Sequence, residues 1–144
     1  MVFNEDSNAL IYKIEGDILY LDPPYNAREY GANYHLLNTI ALYDDFTPKG
    51  KTGLREYKKS HWCKKAKVAS ELENLIKNAN FEWIFLSYND EGLLNLEQIR
   101  TIFETYGTYS LRSQKHQRFK ADSKRICKQD STIEYLHILR KQVF

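Results

Sequence analysis

An α/β fold built on a mixed sheet, parallel at its start and antiparallel at its end, is what this sequence predicts, and three observations predict it. Short apolar runs at residues 17–21 and 83–88 alternate with amphipathic helical patterns. The first run stops abruptly at Asp22-Pro23-Pro24, and two further apolar runs close the chain with no helix between them. Alternating strand and helix signals indicate a parallel sheet, and successive strands without a crossover helix indicate antiparallel pairing. At 144 residues and 42% hydrophobic content, the chain suits one small globular domain or part of a larger one.

Asp17 to Leu21 (DILYL) reads as a buried strand ended by a proline turn. Asn33 is the expected cap of a helix through Tyr43, with Leu36, Leu37, Ile40 and Ala41 at helical spacing. A polar, basic loop follows to about Lys65. Val68, Leu72, Leu75 and Ile76 then mark a second amphipathic helix, and Trp83 to Tyr88 (WIFLSY) a second buried strand. Leu96, Ile99, Ile102 and Phe103 define a third helix, with Asn95 as cap, Gln98 completing a capping box and Gly107 as the stop. Tyr109, Leu111 and later Thr132 to Leu139 (TIEYLHIL) read as two strands separated by a second basic segment. There is no internal repeat, low-complexity tract or interdomain linker.

No apolar run approaches the roughly 20 residues that a membrane-spanning helix needs, and the start MVFNEDSN lacks a signal-peptide pattern. The expectation is a cytoplasmic protein without a membrane partner. Cys63 and Cys127 are far apart and lack a CxxC neighbour, so neither a disulfide framework nor a zinc site is encoded. His61, two residues before Cys63, reads as a loop residue, and no metal is expected.

The net charge of +2 conceals segregation. Residues 49–67 carry eight basic side chains, Lys51 and Arg55 among them, against the single acid Glu56; residues 112–128 carry seven, including Lys115, Arg118 and Lys120, against Asp122. Fifteen of the 21 basic residues thus fall in two loop-like segments, as expected if two loops flank a phosphate backbone. Gly50-Lys51-Thr52 resembles the end of a nucleotide phosphate loop, but Asp45 stands where the earlier glycine is required and no strand leads in.

Chemistry concentrates in Asp22-Pro23-Pro24-Tyr25. In open α/β sheets, ligands bind beyond the carboxyl ends of strands, which is where this tetrapeptide falls. An aromatic amine such as the exocyclic group of adenine is a poor nucleophile, because its lone pair is delocalised into the ring. The Asp22 carboxylate and the Pro23 carbonyl can accept its two hydrogens and favour a pyramidal nitrogen. Pro23 and Pro24 fix φ and bias each preceding residue toward extended backbone, which aims that carbonyl outward. Tyr25 offers a flat face on which an extruded base can stack, worth about 1–3 kcal/mol.

With these residues in view, the chain resembles the amino-methyltransferases that use S-adenosylmethionine, and specifically the adenine-N6 DNA methyltransferases of restriction-modification systems, whose catalytic signature is DPPY. The likeness continues through Asn26-Ala27-Arg28-Glu29-Tyr30 into Asn33-Tyr34-His35-Leu36-Leu37, through Ser87-Tyr88-Asn89-Asp90-Glu91-Gly92, and into Glu134-Tyr135-Leu136. It implies a Rossmann-like methyltransferase fold, S-adenosylmethionine as cofactor and DNA as partner. Asp22, Pro23 and Tyr25 would bind the target base, with Pro24 shaping the loop. Asn4 and Asp6, in the acidic turn Asn4-Glu5-Asp6, would lie with Asp22 near the cofactor. Tyr34 and His35 would line the target pocket or pack, Arg28 would touch a phosphate or cap its loop, and Ser87 and Asn89 would shape the pocket floor or form a turn.

Members of that family normally carry a strand and glycine-rich turn for the cofactor ahead of the acidic turn. Here the six glycines include no GxG pair, and DPPY begins 21 residues into the chain. The resemblance therefore implies the C-terminal half of the fold: residues 1–144 as one partial catalytic domain, an apolar sheet edge before Asp22, and a cofactor-binding segment or partner chain that supplies the rest. Three alternatives stay open from the sequence: an enzyme acting on adenine in RNA, an inactive nucleic-acid-binding remnant, and a purely structural α/β domain.

Overall fold

The computed structural model describes residues 1–117 and 131–141. Its elements are α1 (Ser7–Leu10), β1 (Glu15–Leu21), α2 (Tyr30–Asn33), α3 (His35–Leu42), a 3-10 turn (His61–Cys63), α4 (Val68–Asn78), β2 (Asn80–Asn89), α5 (Leu96–Tyr106), β3 (Gly107–Gln117) and β4 (Ser131–Lys141). The four strands form one sheet in the order β1-β2-β4-β3. β1 and β2 are parallel, with Leu19 opposite Ile84 and Leu21 opposite Leu86, and the other two pairings are antiparallel. This is the α/β mixed sheet expected from the sequence.

Helix α4 forms because Val68, Leu72, Leu75 and Ile76 recur on one face, and all four are buried. Its last carbonyls are satisfied from across the sheet, where the Lys141 ammonium donates to the carbonyls of Lys77 and Ala79. Helix α5 starts at the predicted capping box: the Asn95 side chain accepts from the Gln98 N–H at 2.9 Å while the Gln98 side chain accepts from the Asn95 N–H at 3.0 Å. It ends where Gly107 opens β3. Side chains alternate along a strand, so Leu19 and Leu21 of β1, Ile84 and Leu86 of β2 and Leu139 of β4 share one face, and α4 and α5 cover it to form the core.

The opposite face carries Ile18 and Tyr20 of β1, Trp83 and Phe85 of β2, and Leu136 and Ile138 of β4. No helix among the described residues covers it. Ile18 and Tyr20 are 62% and 61% exposed, which corrects the reading of residues 17–21 as a buried strand. Among the described residues β1 pairs on one side only, and just one of its faces is covered. Such an edge is the liability the sequence implied.

The segment after β1 is also corrected. One helix capped by Asn33 was expected, yet the backbone breaks at Tyr34 (φ −107°, ψ 16°) into two short helices, and Asn33 ends the first. Leu36, Leu37, Ile40 and Leu42 are all at least 60% exposed, and α3 buries none of its residues. The 3-10 turn at His61–Cys63 lay within the expected polar loop, yet Trp62 and Cys63 are buried. His61 is exposed, its Nδ1 3.0 Å from Glu71 Oε1, and no metal-ligating cluster occurs among the described residues. Nor is any described helix long and apolar enough to cross a membrane.

Among the described residues, two polar side chains are buried, Asn89 at the end of β2 and His137 within the core. His137 of β4 is fully buried; its Nδ1 meets the Tyr109 hydroxyl at 2.9 Å, and its Nε2 has no partner among the described residues. Burial pushes its pKa down from 6.5 to about 4, because a charge there would lie among Phe103, Tyr109 and Tyr135. The unfolded chain therefore takes up a proton that the folded chain refuses. His137 favours the fold fully above pH 6.5, and that contribution is lost as the pH falls toward 4. Denaturant unfolding of wild type and His137→Leu across pH 4–7 should show the acid-side loss of stability reduced in the variant by an amount on the order of 3 kcal/mol; parallel curves would rule it out.

Candidate active site

β1 delivers Asp22 to the carboxyl edge of the sheet. The backbone then runs through Pro23 and Pro24 to Tyr25, whose carbonyl is gripped twice, by the Leu93 N–H at 2.8 Å and the Tyr88 hydroxyl at 3.4 Å. The same hydroxyl accepts from the Leu94 N–H at 3.3 Å. Tyr88 is buried near the end of β2, and Leu93 and Leu94 belong to the turn before α5. Gly92 makes this approach possible, because a Cβ there would run into the Tyr88 ring. The loop after β1 is thus fastened by the loop after β2.

Fastening the main chain at Tyr25 leaves the chemistry of the motif outward. Asp22 is exposed and Tyr25 is 41% exposed. No hydrogen bond among the described residues occupies the Asp22 carboxylate or the Pro23 carbonyl. Asp22, Pro23 and Pro24 line a cleft of about 340 Å³ with Glu5, Asp6 and Ser7 from the turn before α1, Tyr20 and Leu21 from β1, and Ser60 and Trp62 from the basic segment. That volume lies in the range of small-molecule sites. Two acidic turns on one side and two aromatic rings within reach suit a ligand with a cationic centre and a flat ring system.

The expected cofactor residues are brought together in part. Asp6 and Asp22 share the cleft, whereas Asn4 does not line it. Asp6 also caps α1, accepting from the N–H groups of Asn8 (3.0 Å) and Ala9 (3.3 Å), and Glu5 is ion-paired with Lys13. Asn8 then ties α1 down: its side chain accepts from the Trp62 indole N–H at 3.0 Å and donates to the Glu71 carbonyl at 2.8 Å. Trp62 and Ser60 are wall residues that sequence reasoning missed. A lone tryptophan and serine in a lysine-rich stretch carry no periodic signal.

Glu29 was missed as well. Both its carboxylate oxygens accept from the Ser60 N–H, at 3.1 and 3.0 Å. Burial, and then the charge and hydrogen bond of Glu29, push the Cys63 thiol up to about 11. Gly31 admits Tyr57, since a Cβ there would stand 2.6 Å from Tyr57 Cβ. The basic segment is thereby folded onto the residues that follow Tyr25. Tyr30 joins the same neighbourhood, with its ring 5.8 Å from that of Tyr34. Burial raises its pKa, and the charge of Asp22 adds to the rise, so the phenol stays protonated beside the carboxylate.

The expected DNA-contacting residues divide. Arg28 is exposed, its N–H bonded to Asn26 Oδ1 at 2.9 Å, and its guanidinium has no partner among the described residues. Tyr34 is exposed and His35 half-buried at the start of α3, and neither lines the Asp22 cleft. Lys51 is exposed in a tight turn closed by two hydrogen bonds between Lys49 and Leu54, with Gly50 and Gly53 at positive φ, and no helix follows it. Arg55 has only a tenth of its side chain exposed; it forks onto Asp44 at 2.8 and 2.9 Å and lies over the Phe46 ring, a position that holds the loop together. Lys115 is exposed on β3, and Arg118 and Lys120 lie outside the described residues. Ser87 faces a separate hollow, and Asn89 is buried, accepting from the Glu91 N–H at 3.1 Å.

The family model for D12 class N6 adenine-specific DNA methyltransferases matches residues 1–102. Among curated proteins, the chain is 62% identical over 142 residues to the type II methyltransferase M.NlaIII of Neisseria lactamica, covering 97% of this chain and 42% of that protein. It is 44% identical to the type II methyltransferase M.FokI of Planomicrobium okeanokoites and 35% identical to the modification methylase StsI of Streptococcus sanguinis, covering 98% and 99% of this chain and 22% of each relative. The chain thus spans less than half the length of these relatives. No solved structure matches it.

The grip on Tyr25 depends on the missing side chain at position 92. Gly92→Ala should displace the Tyr88 ring and cost about 1–3 kcal/mol of stability, read as a lower midpoint in thermal or denaturant unfolding. An unchanged midpoint would mean that the turn absorbs the methyl without moving Tyr88.

Proposed function

Because the chain belongs to the D12 class of N6 adenine-specific DNA methyltransferases, we propose that it is the catalytic part of a cytoplasmic, site-specific DNA methyltransferase of a restriction-modification system, with residues 1–144 forming one partial catalytic domain. The observation that supports this reading is an unoccupied pair of acceptors, the Asp22 carboxylate and Pro23 carbonyl, on a main chain anchored at Tyr25 and opening into a cleft. Adenine extruded from the duplex meets a flat exposed ring at Tyr25 on which to stack. Its amino hydrogens then go to Asp22 and Pro23, which draws the nitrogen toward a pyramidal, nucleophilic shape. The anchored loop needs no reorganisation at that moment, which is where the rate advantage arises.

S-adenosylmethionine fits the lining of the cleft. Asp6 and Asp22 give its surroundings negative potential, which favours a sulfonium ion, and the Trp62 and Tyr20 rings provide apolar walls. When bound, the cofactor supplies an electrophilic methyl group. The protein's own part is to hold the amine in line and to keep an acceptor beside it for the departing proton. Arg28, Lys51 and Lys115, exposed on separate segments, would contact the DNA backbone.

The uncovered face beside β1 and β2 and the unpaired edge of β1 are where further strands and helices dock. A cofactor-binding segment, on the same polypeptide or on a partner chain, completes both the sheet and the cleft. This reading is supported by the exposure of Ile18 and Tyr20 and by the 42% share of the Neisseria lactamica relative that the chain spans.

Two outcomes follow. Asp22→Ala, assayed in the complete enzyme by tritium transfer from labelled cofactor to DNA, should lose at least about 100-fold in rate, as removal of one preorganised polar group does, while salt-dependent DNA binding stays nearly intact; retained transfer would eliminate Asp22 from the chemistry. The 144-residue chain alone should transfer little label, and adding a separately made cofactor-binding segment should raise transfer. Full activity of the chain by itself would contradict the docking.

A further inference from the structure

The pairing of β3 with β4 outruns the sheet. β2 stops at Asn89, opposite Glu134, but β3 and β4 continue through Lys115–Ile133, His116–Thr132 and Gln117–Ser131. These three extra pairs carry a two-stranded arm about 10 Å beyond β2, at ~3.3 Å per residue. The overhang is on the Asp22 side, because β1 and β2 are parallel and both end there.

The arm is held in a defined direction. Asp90, the first residue after β2, accepts from the Thr132 hydroxyl at 2.6 Å and the Ile133 N–H at 3.1 Å through Oδ1, and its own N–H donates to the Ile133 carbonyl at 3.0 Å. Three residues later, Leu93 holds the Tyr25 carbonyl. One short turn therefore fixes both the catalytic loop and the root of the arm.

Every residue from Arg112 to Gln117 is exposed. Alternation puts Arg112, Gln114 and His116 on the uncovered sheet face, with Glu134 opposite Gln114. Arg112, Gln114 and Glu134 join Ser87 in lining a shallow hollow of about 260 Å³. A ribbon meant only to hold phosphates would carry lysines and arginines. This one mixes cationic, amide, imidazole and carboxylate groups, the types that pair with guanine, adenine and cytosine edges. The major groove is wide enough for a two-stranded ribbon.

We propose that the β3–β4 arm enters the major groove of duplex DNA and reads base edges through His116 beyond β2 and through Arg112 and Gln114 at its root, held in register with the Asp22 loop by Asp90. The inference rests on the DNA reading above and goes further, by assigning sequence recognition to this chain and to one face of one strand pair.

The test is selection from a random-sequence duplex library by the complete enzyme, with wild type, Gln114→Ala, His116→Ala and Lys115→Ala compared, and binding measured from low to physiological salt. Wild type should enrich a defined motif. Gln114→Ala and His116→Ala should each lose about 10- to 100-fold discrimination at one motif position with the salt slope unchanged, and Lys115→Ala should reduce the slope by about 1 with the motif intact. All three positions are exposed, so their folds can be matched by circular dichroism. DNA binding with no enriched motif, or a motif that survives both Gln114→Ala and His116→Ala, overturns the arm while leaving the methylation reading to the Asp22→Ala assay. Absence of any DNA binding overturns both.

Discussion

The main-chain carbonyl of Tyr25 accepts two hydrogen bonds from the turn that follows β2, and the rest of the site depends on that attachment. Two prolines stiffen the loop but cannot place it, because they constrain φ and say nothing about which way the loop leans. Leu93 and Tyr88 decide the lean. Tyr88 reaches the carbonyl because Gly92 has no side chain, and the turn carrying Gly92 is in turn held by the capping box of α5 and by the bonds from Asp90 to β4. The Asp22–Tyr25 loop is therefore positioned from the core outward.

The same turn holds the Asp22 loop and the root of the β3–β4 strand pair, which both attach to residues 88–94, over the carboxyl end of one strand. Rigidity on that scale comes from packing density, and the buried residues Tyr88 and Leu94 lie beneath it.

Against this ordered side stands a sheet face with no cover. Ile18, Tyr20, Trp83 and Phe85 present apolar surface where an α/β fold ordinarily has a second helical layer, and α3 presents its leucines outward as well. Exposed apolar area on this scale marks a contact surface. The cleft at Asp22 opens at that boundary, with Tyr20 in its wall.

Most of the fold was legible in the sequence because local signals and tertiary packing agree there. The heptad-like spacing from Val68 to Ile76 and the Asn95–Gln98 box specify helices by themselves, and successive strand signals at the end of the chain imply antiparallel pairing. DPPY was legible for a different reason: its chemistry requires those residue types in adjacent positions. Legibility failed where meaning depends on partners remote in sequence. The apolar run at 17–21 looked buried, since composition records what a strand is built to contact and not whether the contact is present. Arg55 looked like a DNA contact until Asp44 and Phe46 were seen to enclose it. Glu29, Ser60 and Trp62 carry no pattern at all; only the folding of residues 57–63 onto residues 29–31 lets Glu29 hold the Ser60 N–H while Ser60 and Trp62 line the cleft. Sequence by itself determined the DPPY motif at a strand end and most of the helix and strand segments, because both are properties of neighbouring residues. Tertiary structure alone decided which charges are engaged, which faces are open and how the loop is aimed, because these are set by contacts between residues tens of positions apart.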